Sequence, residues 1–381
     1  MTRVRNIGFI LAVNLVVSIA FPGQAFSALP GYVDADAERV SQYINKADAK
    51  RMDKQANLED AAKRTAENAD EPDLATQKPK RVSVKRNAGW LQSSSPTLKV
   101  SIPDTENRAV WLSRGNSPKM ADSFIVNLPV TKNTVDAKVS SDGSVVYSGY
   151  QQATDIAVQP FDDSVRILTV LNGTDSPSEY AYKVNLPAGG KIEKMENGGV
   201  LVLDSQGSLI GGFAPPWAVD NTGKSVQTHY DVRGNQVVQV VDHLDGNVSY
   251  PVVADPWLGK ALISYAVWTK YIRYGIDWGF SLFVYPTAWA RVNVLSYNAG
   301  VAGWNELLNR YKDTAVFYTN FDHNEYETRG IKNNLSGLRN QYLCHAWSGG
   351  HPLKGTWQLE EFRPDVGWLK TVAATCNPGN P

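Results

Sequence analysis

Between about residue 95 and residue 256 the chain is a succession of short apolar runs separated by turn-forming dipeptides, and this pattern limits the fold more than any other feature. Val145-Val146-Tyr147, Val165 to Leu171, Tyr180 to Val184 and Val237 to Val241 are rich in β-branched and aromatic residues, which suit a pleated, half-buried surface. Asp142-Gly143, Asn172-Gly173, Asn197-Gly198-Gly199, Gln206-Gly207, Gly234-Asn235 and Asp245-Gly246 fall between the runs and carry the residues that hairpin turns demand. The spacing predicts an antiparallel sandwich or similar all-β module over 95–256. No strand–helix alternation interrupts it, which argues against a Rossmann-like core.

At 381 residues the chain exceeds one ordinary core, so further domains are expected around this module. Residues 28–94 read as a charged arm and a basic linker. The arm alternates acids and bases around a thin stripe of Val40, Ile44 and Ala47, which predicts a solvated helix or a disordered segment. Lys78, Lys80, Arg81, Lys85 and Arg86 then crowd a solubilising linker.

Beyond Pro256 the composition changes: eight of the eleven tryptophans fall between Trp257 and Trp368. Trp304, Leu307, Leu308 and Tyr311 share one helical face after Gly303, and Leu338, Tyr342 and Ala346 another, with Ser336 placed to cap that helix. Strand-like pieces at Ser281 to Tyr285 and Thr356 to Glu360 complete a small α+β domain over 272–381. The connector at 257–271 opens a stretch, 258–275, that reads two ways. As a basic, aromatic helix it would suit a membrane interface; as a strand it is equally well composed. The fold class is thus mainly β with α+β, preceded by a helical or disordered arm.

Residues 1–27 read as a secretory leader. Arg3 and Arg5 precede the apolar run Ile7 to Phe21, Pro22-Gly23 breaks it, and Ala25-Phe26-Ser27 offers a cleavage site. That run is shorter than the ~20 residues a spanning helix requires, and no later segment is long and apolar enough, so no transmembrane segment is expected in the mature chain. The expectation is a secreted protein, extracellular or held non-covalently at the envelope. Cys344 and Cys376, the only cysteines, then suit a disulfide worth roughly 3.5–4 kcal/mol by loop closure. Lys and Arg total 38, as do Asp and Glu, so no net charge drives general nucleic-acid binding.

Three strings, Pro215 to Asp220, Gln239 to His243 and Tyr250 to Pro256, resemble the β module of exported actinobacterial proteins, where Tyr-Pro-Val-Val-Ala-Asp-Pro precedes a variable C-terminal domain. The C-terminal part is similar to the actinobacterial domain of unknown function 2599. Its matching strings are Pro286 to Arg291, Gly303 to Glu306, Leu338 to His345, Trp357 to Pro364 and Cys376 to Gly379. This resemblance implies a secreted location and a paired Cys344 and Cys376, and it implies no activity. Where a tryptophan is expected before Arg-Pro the chain has Phe362, a ring suited to packing.

No complete catalytic constellation is present in the sequence. Glu360 and Glu361 are weak carboxylate candidates for a hydrolase of extracellular polymer, since adjacent strand residues face opposite ways. His345 beside Cys344 makes a poor thiol pair. His323 to Glu327 lacks a second helical His, and His345 with His351 lacks a third metal ligand, so neither metal nor cofactor is expected. The aromatic-rich tail points instead to binding. Trp289, Trp347, Trp357 and Trp368, with Tyr285, Tyr342 and the cation Arg363, are candidates to line a site for a cell-wall polymer, a peptide or a membrane surface. A binding module at the envelope is the leading expectation; a membrane-active effector freed from a pro-segment, and a hydrolase, are the alternatives.

Overall fold

Most strands of the β region bury one face, and the strands Thr154–Pro160 and Ser164–Leu171 bury both. The computed structural model describes residues 34–63, 79–105, 109–115, 123–129, 135–151, 153–273, 276–293, 296–318, 326–347 and 355–379; the expected leader lies outside them. Helix α1 (Ala35–Lys63) comes first. The strands β1 (Lys85–Asn87), β2 (Trp90–Ser94), β3 (Leu98–Pro103), β4 (Ala109–Arg114) and β5 (Phe124–Asn127) form an antiparallel meander. Next come β6 (Lys138–Val139), β7 (Val145–Gln151), β8 (Thr154–Pro160), β9 (Ser164–Leu171), β10 (Glu179–Lys183), β11 (Lys191–Lys194), β12 (Val200–Leu203) and β13 (Leu209–Phe213). The module closes with β14 (Trp217–Val219), β15 (Thr228–Arg233), β16 (Gln236–Val241), β17 (Val252–Asp255) and β18 (Trp257–Gly259).

The larger sheet runs β11-β12-β13-β18-β9-β8-β7-β6, with β17 joining β9 to β14, and a small sheet runs β10-β16-β15. Arg233 pairs with Gln236 across a two-residue turn, which Gly234 enters at φ +62°, as that hairpin geometry requires. The three sheets enclose one core, with Phe213 edge-on to Phe124 and Tyr230, each at 5.9 Å between ring centres.

β8 and β9 are buried along their whole length, which explains why they read as continuous runs and not as alternation. Ile156, Val158, Val165 and Ile167 face the sandwich core, while Ala157, Leu168 and Val170 face α1. This corrects the picture of a solvated arm. Asp34 caps α1 by accepting from Asp36 N and Ala37 N at 3.1 Å, and Ala37, Val40, Ile44 and Ala47 pack on the sheet.

Polar ties fix the helix in place. Arg166 donates twice to Asp48 at 2.8 Å and lies 3.6 Å from Asp255, the acid of the Tyr-Pro-Val-Val-Ala-Asp-Pro string. Arg39 reaches Asp155 at 3.3 Å and Lys46 reaches Asn221 at 2.7 Å. The three strings of the β-module resemblance also meet. β14 pairs with β17, and Gln239 donates to Asp255 O at 3.0 Å. His243 Nδ1 lies 2.8 Å from the Tyr250 hydroxyl.

The basic stretch also enters the fold. Arg81 donates to Asp142 O and Ser144 Oγ and lies over the Phe161 ring, and residues 85–94, expected within the linker, form β1 and β2. Held by these partners, the guanidinium is no longer a free solubilising charge.

The C-terminal part contains β19 (Ile263–Arg273), β20 (Ile276–Pro286), α2 (Ala288–Asn293), α3 (Tyr297–Tyr311), β21 (Ala315–Tyr318) and β22 (Tyr326–Arg329). It ends with α4 (Leu335–Trp347), β23 (Trp357–Glu360) and α5 (Trp368–Ala373). Its sheet runs β22-β21-β19-β20-β23, with β19 and β21 parallel. The ambiguous stretch 258–275 therefore resolves, over its described residues, as the end of β18, a short bend at 260–262 and β19. β19 buries Ile263, Ala266 and Trp268 and pairs along β20, which satisfies its backbone. α4 is capped by Asn334, whose Oδ1 accepts from Gly337 N at 3.2 Å, and not by Ser336, which falls inside the helix. Among the described residues no helix is long and apolar enough to cross a membrane.

Candidate functional site

Packing sorts the expected ligand-binding tryptophans into two groups. Trp289 and Trp357 are fully buried. Trp357, on β23, stands edge-on to Tyr342 at 5.4 Å, and Tyr342 meets Trp304 at 5.8 Å, so these rings join sheet to helices. Trp289, on α2, lies flat over β18 and β13 in the β module. Its indole occupies the space that a side chain on Gly259 or Gly212 would need, and Nε1 donates to Trp257 O at 3.1 Å. Neither ring offers a face to a ligand. Tyr342 is buried as well, and burial pushes its hydroxyl well above the usual tyrosine range. Tyr285 stacks on its cross-strand neighbour Tyr265 at 4.0 Å.

Trp347 differs. At the end of α4 it is 39% exposed, it stacks on Trp368 of α5 at 5.4 Å and 26°, and Tyr297 of α3 abuts it at 6.0 Å. Leu369, next to Trp368, is 81% exposed. Three helices thus bring Tyr297, Trp347 and Trp368 together as one aromatic cluster.

The cysteines explain how the patch is held. Cys344 lies three residues before Trp347 on α4, and Cys376 follows α5, so their disulfide, with Cα atoms 5.3 Å apart, ties together the helices carrying the two stacked indoles. Arg363 reinforces this from within the protein. It is buried, donates from Nε to Glu360 Oε2 at 2.9 Å, and holds the chain end through Asn377 O and Gly379 O. Its charge is spent on anchoring the segment that follows Cys376. Phe362 packs against Tyr271 at 5.2 Å, as expected of a packing ring.

The weak catalytic candidates are engaged internally. Glu360 is buried against Arg363, whereas Glu361 accepts from Arg329 at 2.8 and 2.9 Å and from Asn333 at 2.9 Å. Arg329 in turn lies 3.7 Å from the centre of the Phe280 ring. Each carboxylate therefore has its own cation, on separate partners. His345 is buried with Nε2 3.1 Å from Gln358 O. His323, Glu325 and His351 lie outside the described residues, and no cluster of metal-ligating side chains occurs among the described ones. Glu327, on β22, is described and belongs to no such cluster.

Tyr297 and Leu369 are the members of the patch that the sequence reading missed. The signal for Leu369 was present: Trp368 and Leu369 are adjacent on a short helix, their directions differ by about 100°, and only one can face the core. Tyr297 begins α3 seven residues, about two turns, before Trp304, so the i, i+7 spacing that places it on the same side of the helix was present in the sequence.

The arrangement can present flat apolar area in a rigid frame.

Residues 263–379 match the family model described as protein of unknown function (DUF2599). Uncharacterized protein Rv0477 of Mycobacterium tuberculosis and uncharacterized protein Mb0487 of Mycobacterium bovis are each 30% identical over 147 residues, covering 34% of this chain and 80% of the relative. No solved structure matches the chain.

Proposed function

This chain belongs to the DUF2599 family, and from that premise we propose that it is an exported binding protein whose C-terminal domain docks on a glycan polymer of the cell envelope. The observation that carries this reading is the exposed Trp347 ring, stacked on the half-buried Trp368, abutted by Tyr297 and braced by the Cys344–Cys376 disulfide, with exposed Leu369 next along α5. Indole faces give wide, rigid contact at little entropic cost, and a flat sugar face is a matching surface. A disulfide suits a chain that leaves the reducing cytosol, and the leader-like residues 1–27 support the same route. The β module acts as the platform that presents this domain.

The experiment is sedimentation of the full chain with purified wall polysaccharide and with whole cells. Saturable binding that falls at least about tenfold in Trp347→Ala, with folding intact, supports the proposal. Unchanged binding in Trp347→Ala and in Leu369→Ala contradicts it. Fractionation of the producing cell, with N-terminal sequencing of the product, tests export. A mature protein beginning near Ser27 is expected, and retention of residues 1–27 on an intracellular product argues against it.

The membrane-active alternative drew on 258–275 as an amphipathic helix, and its described residues form the end of β18, a short bend and β19, with no helix. The hydrolase alternative depended on Glu360 and Glu361, and both are held in ion pairs.

A further inference from the structure

The first sheet carries a second aromatic site, far from the family-matched domain in sequence and independent of the reading above. Trp90 on β2 and Trp111 on β4 are half-buried, with ring centres 5.5 Å apart and planes inclined at 58°. They open onto a groove of about 490 Å³ that Ile125, Asn127, Lys183 and Asn185 complete. That is the size of a small-ligand site. Register explains why the rings emerge here. Gln92 pairs with Ser101, Ser101 with Trp111 and Trp111 with Ile125, a row on the face opposite to the buried Leu91, Val100, Val110 and Val126.

Charge selects the occupant. The five strands of this sheet contain Lys85, Arg86, Lys99 and Arg114 and no carboxylate. Arg86 lies 3.6 Å from Asp104 and Arg114 lies 3.2 Å from Glu306, so both have counter-ions. Lys85, Lys99 and Lys183 have no ion-pair partner among the described residues. Lys85 is in register with Gln92, on the groove's face, and Lys99 lies one diagonal step from Trp111. The side-chain amides of Asn127 and Asn185 make no hydrogen bond among the described residues, which leaves donors and acceptors aimed at solvent beside the rings.

Flat indole faces, open amides and unpaired lysines together match a ring with apolar C–H faces, hydroxyls and an acid group. The geometry points to an anionic-glycan site at Trp90 and Trp111, binding pyranose units that bear carboxylates, with Lys183 beside the acid group.

The test uses the full chain carrying Trp347→Ala, so that any binding belongs to this groove and not to the C-terminal patch. The probe is a hexamer of galacturonate, with its fully methyl-esterified form as the neutral control, followed by tryptophan fluorescence and calorimetry. Saturable binding tighter than about 1 mM is expected, weakening as salt rises from about 0.05 to 0.5 M. The ester should bind at least about fivefold more weakly, Lys183→Gln about threefold more weakly, and Trp111→Ala at least about tenfold more weakly. Trp111→Phe keeps a ring and should retain most of the affinity, which separates stacking from a folding defect. No saturable binding at about 5 mM overturns the proposal, as does equal binding of the ester or indifference to Trp111→Ala. Preferential binding of a proline-rich peptide, displacing nothing acidic, overturns it in favour of a protein partner.

Discussion

Truncating Trp289 separates a packing role from a binding role more cleanly than any other change in this protein. The indole is fully buried over Gly259 and Gly212 and donates to Trp257 O. Removing about 200 Å² of buried surface at about 25 cal/mol per Å² forfeits about 5 kcal/mol as an upper estimate. Partial collapse of the cavity offsets some of this, so Trp289→Ala should cost about 3–5 kcal/mol. The reciprocal change is Gly259→Ala. Its Cβ would lie 2.1 Å from Trp289 Cδ2 and 2.4 Å from Cγ, so the ring must move, at a cost of about 3 kcal/mol. In a Trp289→Ala background that methyl group enters empty space and should cost less than about 1 kcal/mol, a coupling of about 2 kcal/mol. Urea unfolding followed by circular dichroism, on all four members of the cycle, measures each quantity. Additive costs, or a Trp289→Ala protein that keeps its stability while losing glycan binding, would refute the packing argument.

Reduction of Cys344–Cys376 should lower the stability of the C-terminal part by roughly 3.5–4 kcal/mol, read as a lower urea midpoint in dithiothreitol; no shift would mean that the loop is held by other contacts. Asp48→Ala leaves the buried Arg166 with Asp255 alone, and should weaken α1 docking by about 3 kcal/mol. Hydrogen exchange of α1 amides checks this, with unchanged protection as the contrary result. Burial pushes the Asp142 carboxyl up, but Ser140, the Arg81 guanidinium, Ser41 and the Ser144 amide outweigh it and hold the pKa at about 2, against 3.8 unfolded. Because the folded value is the lower one, the stabilisation is full above about pH 5 and is lost as pH falls through 2. It amounts to about 2 kcal/mol. Asp142→Asn should flatten the acid limb of a stability–pH profile over that window, and a parallel profile would contradict the assignment.

The β architecture was legible because strand and turn chemistry are local: the Gly234-Asn235 turn and the runs it separates need no knowledge of the rest of the chain. The disulfide was legible for a similar reason, since only two cysteines exist. What escaped was tertiary. Val40, Ile44 and Ala47 look like an idle stripe until the outer face of β8 and β9 appears opposite them. The tryptophans could not be ranked from sequence, because Trp289 and Trp357 differ from Trp347 only in what the fold places above them. The same holds for Arg363 and Glu360, three residues apart, whose charges cancel inside the protein. Stretch 258–275 had composition for either structure, and pairing with β20 decided it.

The exposed aromatic edge of the C-terminal domain is the centre of this account, and binding of the full-length protein to purified wall polysaccharide tests it most directly when Trp347→Ala is compared with the parent chain. Saturable binding by the parent and at least about a tenfold loss in the variant, with matching unfolding curves, is the predicted result. Equal retention of both proteins on the polymer, or of neither, would contradict it.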